Sequence, residues 1–411
     1  MLKWLAIVVG VAVGATLAGA IIYVNVEREE IDKRQAALAP FYTPPEGPLG
    51  AAGDVIRTEP LGVDVAGATA WRMLYTSQRP DGTAAVSGAM VFIPEVPAPD
   101  GGRPVVAWAH GTVGMGDQCA PSRSEKPLNN TDNWLDQMMS LGWVVVATDY
   151  VGLGTPGPEL YLVAEAEARD VVNSVRAVRN LPTAEAGSEF AVWGHSQGGH
   201  SSLWTGHLAE QLAPELDLLG VAAAAPVGEV IDIVGAQWDT PVGWAIGPEV
   251  AVAWPSARPE LSTSDVLTKT GSSNYRRLAG ECIVAAALEG EVRAAFKSQF
   301  FSIDPTTQPD WAAVAQDETP PPLPPEMPVF IAQGTADKVV LPWPNAILQE
   351  QWCASGSTLS MLWLGGVGHV TAATTAGPSA VSWIADRFAG RPATATCDIP
   401  PPVPAAQPNA D

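Results

Sequence analysis

The stretch Phe190-Ala191-Val192-Trp193-Gly194-His195-Ser196-Gln197-Gly198-Gly199 runs from an apolar segment through Gly-x-Ser-x-Gly into a helical pattern. This arrangement puts a serine at the tip of a sharp strand-to-helix turn. Side chains two residues to either side would collide with neighbouring chain, so Gly194 and Gly198 are required by sterics, and Ser196 is pushed outward as a candidate nucleophile. A serine hydroxyl attacks poorly until a base takes its proton, so the turn needs a histidine, and the histidine needs an acid to fix its tautomer.

There are five histidines. His110 and His195 sit inside or beside motifs, and His200 and His207 fall on the helix after Ser196, which leaves His369 as the base. It ends Leu364-Gly365-Gly366-Val367-Gly368-His369, a loop flexible enough to carry an imidazole over the serine. The acid should close a strand between the two, and Asp337 in Val329-Phe330-Ile331-Ala332-Gln333-Gly334-Thr335-Ala336-Asp337 fits. Asp149 also closes an apolar run, but it precedes Ser196 and breaks the order serine, acid, histidine, so its expected role is to hold its own loop. A tetrahedral intermediate needs two preset N–H donors. Gln197 should supply one, and the Ala109-His110-Gly111-Thr112 loop the other, through Thr112 or alternatively Gly111. His110 is expected to organise that loop rather than to move protons.

Continuous apolar runs suit strands buried on both faces. They occur at 104–109, 143–147, 190–193, 218–225, 329–332 and 359–364. Helical patterns at Trp134 to Leu141, Ala164 to Leu181, Gly198 to Leu212 and Ser379 to Phe388 separate several of them, giving repeated β-α units. The fold class is therefore α/β, a mainly parallel doubly wound sheet. Ala70 to Ile93 alternates around Arg79-Pro80-Asp81-Gly82 and reads as an antiparallel hairpin at one sheet edge. Residues 226–328 hold no strong strand and read as an inserted helical cap, in which Trp238, Trp244 and Trp254 either pack or line an apolar tunnel.

Outside this domain, placed at 54–398, stand three other segments. Residues 1–26 include a run from Trp4 to Val26 without a charged residue, about 34 Å long as a helix, which reads as an uncleaved membrane anchor or a signal cleaved near Ala20. Residues 27–53 are polar and Pro-rich, as a linker would be, and 399–411 form a Pro-rich tail expected to be disordered. Export gives Cys119, Cys282, Cys353 and Cys397 a role as two disulfides, with three connectivities open. Their spacing is not that of a metal site, and the chemistry needs neither metal nor cofactor. With 44 acidic against 22 basic residues the net charge is −22, the wrong sign for binding nucleic acid.

Taken together, the Ala109–Thr112 loop, Asp149-Tyr150-x-Gly-Leu-Gly, the Ser196 turn, Gln333–Val340 and Gly368-His369 resemble the secretory lipase family, the yeast lipase A type and its bacterial relatives. The resemblance spans about Pro40 to Cys397. It implies an α/β-hydrolase fold, a triad of Ser196, Asp337 and His369, and a helical cap over an acyl-binding tunnel. It also implies pairing of Cys119 with Cys282 and of Cys353 with Cys397. The expected function is hydrolysis of acyl esters, triacylglycerols or other lipid esters, through an acyl-enzyme on Ser196. An acyltransferase would use the same triad, and a non-catalytic surface binding protein would keep the fold alone.

Overall fold

A computed structural model describes residues 29–131 and 134–407. The chain divides into two compact units, at Thr43 and Pro44. In the first, residues 29–42 are helical (α1), within the 27–53 segment whose composition reads as a linker. Ala36, Ala37 and Leu38 are strong helix formers, Glu29 pairs with Lys33 one turn on at 2.7 Å, and the prolines that suggested a linker cluster at its end. The Trp4–Val26 run lies outside the described residues. No helix among the described residues is long and apolar enough to cross a membrane.

The second unit is built on a nine-stranded sheet in the order β1-β2-β3-β5-β4-β6-β7-β8-β9. Its strands are β1 (Val55–Pro60), β2 (Ala68–Gln78), β3 (Ala84–Pro94), β4 (Arg103–Ala109), β5 (Val144–Thr148), β6 (Ala186–His195), β7 (Asp217–Ala224), β8 (Val329–Gly334) and β9 (Leu359–Leu364). Pairing is antiparallel from β1 through β3 to β5, and parallel from there to β9. The β2–β3 hairpin forms as expected but is not the edge, because β1 pairs outside it. With Arg57 and Glu59 among five half-buried residues followed by an exposed Pro60, β1 has the pattern of a blunted edge strand and is hard to tell from a loop.

Successive residues of the central strands face opposite layers. On one side Val105 and Ala107 of β4 join Phe190 and Val192 of β6 against α3 (Ala164–Arg179), α4 (Gln197–Leu212) and α11 (Pro342–Ala354). On the other, Val106, Trp108, Ala191 and Trp193 meet α2 (Leu135–Ser140) and α12 (Ala372–Phe388). Two-sided burial is why these strands read as unbroken apolar runs, and it fixes their C-terminal ends rigidly in one row.

Between β7 and β8 the chain leaves the sheet for six α-helices: α5 (Val230–Gln237), α6 (Pro241–Ala245), α7 (Gly247–Ala257), α8 (Lys269–Ala279), α9 (Ile283–Ala295) and α10 (Pro309–Asp317). They enclose a core of their own, in which Trp244, Trp254, Trp311 and Phe300 are buried. Trp244 thus packs, whereas Trp238 and the buried Trp254 both border a cavity. Disulfides join Cys119 to Cys282 and Cys353 to Cys397, the pairing the resemblance implies. Residues 400–407 form neither helix nor strand, although the Ile399 carbonyl just before them accepts a hydrogen bond from Gln349 at 2.8 Å.

Candidate active site

Ser196 stands between β6 and α4 with φ 57° and ψ −117°, a conformation that costs a non-glycine residue free energy and persists only where its surroundings enforce it. Here they do. A Cβ on Gly194 would lie 2.0 Å from the Gly198 carbonyl oxygen, and one on Gly198 would lie 1.9 Å from that of Ala109. The Ser196 N–H is committed to the Ala224 carbonyl at 2.9 Å. It is therefore Gln197, at the first position of α4 where no helical acceptor exists, whose N–H stands next in line.

The loop after β9 brings His369 to the serine, with Nε2 2.9 Å from Ser196 Oγ and Nδ1 2.8 Å from Asp337 Oδ2. The other Asp337 oxygen accepts from the N–H groups of Val339 and Val340 at 2.9 and 3.0 Å, so the carboxylate cannot turn away. Held this way, Nδ1 carries the proton and the Nε2 lone pair faces the hydroxyl. His195 secures the loop from below, donating from Nε2 to the His369 carbonyl at 3.0 Å. Burial, and then the neighbouring His369, push the His195 pKa down to about 3, so it stays neutral. The three residues expected to act together are brought into one hydrogen-bonded chain.

The loop after β4 passes directly over the turn, since a Cβ on Gly111 would sit 3.4 Å from Ser196 Cβ. Thr112 follows, with Oγ1 2.8 Å from the Tyr161 hydroxyl. His110 is buried beneath, its ring 2.7 Å from the Gly111 carbonyl and its pKa lowered by that burial, which suits an organiser of the loop. Asp149 is buried too, and burial pushes its pKa up to about 6. It accepts from Ser122 N–H at 3.0 Å and from the Ser122 hydroxyl, so its role is structural but the segment it holds is the one at Ser122 rather than its own loop. Ser196 and Thr112 open onto a cavity whose walls are mostly apolar, among them Leu162, Val230, Trp238, Ile246 and Val339.

A strained serine on a strand-to-helix turn, a histidine and a buried acid in hydrogen-bonded order, and an apolar cavity above them narrow the families to compare. The secretory lipase family model matches residues 130–396. This chain belongs to the secretory lipase family. The lipase is accordingly a hydrolase of the lipase and esterase class, and the family points to an exported protein. It is 26% identical to lipase 5 of Candida albicans over 87% of this chain and 82% of that one. It is 26% identical to a secreted triacylglycerol lipase of Malassezia globosa over 94% and 86%. A protein of Mycobacterium tuberculosis named a probable inactive lipase is 25% identical over 89% and 86%. Among solved structures, the closed state of Candida antarctica lipase A shares the fold, with TM-score 0.71 at 19% identity over 89% of each chain. So does a rice cell wall degrading esterase of Xanthomonas oryzae, with TM-score 0.67 at 17% identity over 83% and 99%.

Sequence reading missed one residue that organises the lipase site. Glu167 of α3 accepts four hydrogen bonds: from Leu162 N–H at 2.9 Å, Gln197 Nε2 at 2.8 Å, His200 Nδ1 at 3.0 Å and Ser201 Oγ at 2.7 Å. It thereby clamps the first turn of α4 and the strained Leu162, whose φ is 50°. His200 Nε2 meets the Glu318 carbonyl at 2.8 Å, so both ring nitrogens face acceptors. Burial opposes charge on this imidazole, but the Glu167 hydrogen bond and the two carboxylates outweigh it and raise its pKa. In the sequence, Glu167 looks like an ordinary acid in a helix's first turn. The available signal was its place on the apolar stripe of α3, beside Ala164, Ala168 and Val171, where Glu165 is not.

Proposed function

We propose that this lipase cleaves carboxylic esters by acyl transfer through Ser196, with acylglycerols or other lipid esters as substrates. The observation that carries the reading is the unbroken chain from Ser196 Oγ through His369 to Asp337, opening onto an apolar cavity. Ser196 Oγ attacks the ester carbonyl while His369 Nε2 takes its proton. The oxyanion that forms is received by the N–H of Gln197 and by that of Thr112, or of Gly111 in the same loop. The tetrahedral carbon then expels the alcohol, to which His369 returns the proton, leaving an acyl-enzyme. Water, activated by His369, attacks that ester and releases the acid. Asp337 stays ionised throughout, holding Nδ1–H and stabilising the imidazolium.

The apolar cavity walls support an acyl chain in preference to a polar one, and the Malassezia relative's name points to triacylglycerols. The inactive relative is a reminder that family membership alone does not carry activity. It is the intact Ser196, His369 and Asp337 that favour catalysis here. The uncharged Trp4–Val26 run supports export with the catalytic unit tethered to a membrane, and cleavage near Ala20 would instead release it.

Hydrolysis of p-nitrophenyl acetate, octanoate and palmitate, with Ser196→Ala as control, tests this reading. A rate that peaks at octanoate or palmitate and vanishes in the control is expected. Activity that survives Ser196→Ala would overturn the mechanism, and activity on acetate alone would overturn the lipid-ester assignment.

A further inference from the structure

Helix α9 is built inside out. The two residues it buries are small: Ala286, and Gly290, on which a Cβ would come within 2.9 Å of the Pro241 carbonyl oxygen and 3.1 Å of Trp244 Cβ in α6. Its large apolar residues face outward. Val284, Leu288, Val292 and Phe296 recur every four residues along one side, and their exposures are 80%, 67%, 51% and 83%. Only nine large apolar side chains are exposed among the described residues, and this ridge holds four of them. The exposed positions from 284 to 296 include a single charged residue, Glu291. A helix that needed only to pack would put its leucine and phenylalanine where its alanine and glycine are.

We infer that the α9 ridge docks this lipase onto an anionic lipid–water surface. Around the ridge the local charge opposes that of the molecule: residues 269–297 hold five basic and three acidic residues, in a chain with 22 basic and 44 acidic. Lys297 directly follows the ridge and is exposed, as are Lys269 and Arg276 of α8, and their charge draws an anionic surface toward this part of the cap. A second copy of the chain is a poorer occupant, because two-fold pairing would set these basic helices against each other in two chains of net charge −22.

The ridge is also fastened to the catalytic machinery. Ile283 N–H donates to the Val113 carbonyl at 2.8 Å, Met115 N–H to that of Ala279 at 2.8 Å, and Cys282 is bonded to Cys119. The start of α9 is thus stapled to the loop that carries Thr112. Its inner face rests on α6, whose Val242 and Gly243 wall the cavity above Ser196. The ridge is thus one helix removed from the wall of that cavity. The inference rests on the lipid-ester reading for its purpose, but docking itself requires no catalysis.

The test uses the full chain and its Ser196→Ala variant with vesicles of phosphatidylcholine and phosphatidylglycerol carrying a diazirine-tailed lipid. After irradiation, peptide mapping should find labels between 283 and 297 in both proteins, and fewer on vesicles of phosphatidylcholine alone. Leu288→Glu with Phe296→Glu should remove the labels and slow hydrolysis of emulsified triacylglycerol about tenfold or more, through loss of buried apolar surface. Hydrolysis of dissolved p-nitrophenyl butyrate should stay unchanged, which also shows the variant folded. Labels confined to residues 4–26, or equal emulsion rates in parent and variant, would overturn docking. So would an unlabelled ridge together with a concentration-dependent doubling of mass, which would assign the ridge to a second copy. Failure of the parent to hydrolyse any ester would sink the catalytic reading while leaving the labelling result standing.

Discussion

Helices α4 and α9 break the amphipathic rule in opposite directions. In α4 the buried residues include Gln197, His200, Ser201, Ser202 and Thr205, and every one of these side chains is hydrogen-bonded. In α9 the exposed residues include two valines and a leucine, with a phenylalanine at its C-terminal end. The first helix gives up apolar packing for fixed hydrogen bonds, which hold a serine and its neighbouring N–H to within fractions of an ångström. The second leaves apolar surface in water, which is stable only if something covers it during use. Position is specified on one side of the site and contact on the other, and perturbing each should change different kinetic constants.

The largest expected effect lies with the groups that α4 serves. Asp337→Asn should lower kcat by about 10⁴, because the amide places the His369 proton on the wrong nitrogen. Single-turnover kinetics with a p-nitrophenyl ester would check it, and a loss of under tenfold would remove Asp337 from the triad. Glu167→Gln comes next. Glu167 has four donors pointed at it, and an amide NH₂ in place of one oxygen sets donor against donor. We expect kcat to fall about 10- to 100-fold with KM nearly unchanged, since the clamp positions Gln197 without touching substrate. A rise in KM alone would place Glu167 on the side of binding instead. The α9 ridge should behave the other way, altering rates on emulsions and not on dissolved esters.

The smallest effect concerns the polar ground beneath α4. Glu159 lies beside Glu167 and Gln197, with Oε2 buried and unpaired. Burial first, and the Glu167 charge second, push its pKa up to about 8 from 4.5. A folded-state value above the unfolded one contributes stability that is complete below the unfolded pKa and is lost as pH rises through the folded one. Asp170, pushed up to about 7 by burial, acts in the same direction. The melting temperature should therefore fall between about pH 5 and pH 9, and Glu159→Gln should flatten part of that slope and melt higher than the parent at the alkaline end. Parallel curves for the two proteins would show that Glu159 is not the titrating group.

How far the sequence was legible follows from the same contrast. Strands buried on both faces leave an unbroken apolar run, so β4 to β9 were readable, and the order of Ser196, Asp337 and His369 along the chain needed no structure. Residues whose environment is set from elsewhere were not readable. The solvent-side pattern of β1 is that of a loop, and α11 opens Pro342-Trp343-Pro344, which resembles a turn although proline suits the first position of a helix. Glu167 has the same local sequence as any acid in a first helical turn. The outward face of α9 is visible as a period of four, but only the structure shows which side of that helix is covered.

The account rests on Ser196 being activated by His369, and a fluorophosphonate probe measures that most directly because it bonds only to an activated serine. Mass mapping of the labelled protein should place the probe on Ser196 alone, with labelling abolished in His369→Ala. An unlabelled protein, or labelling that persists undiminished without His369, would contradict the account.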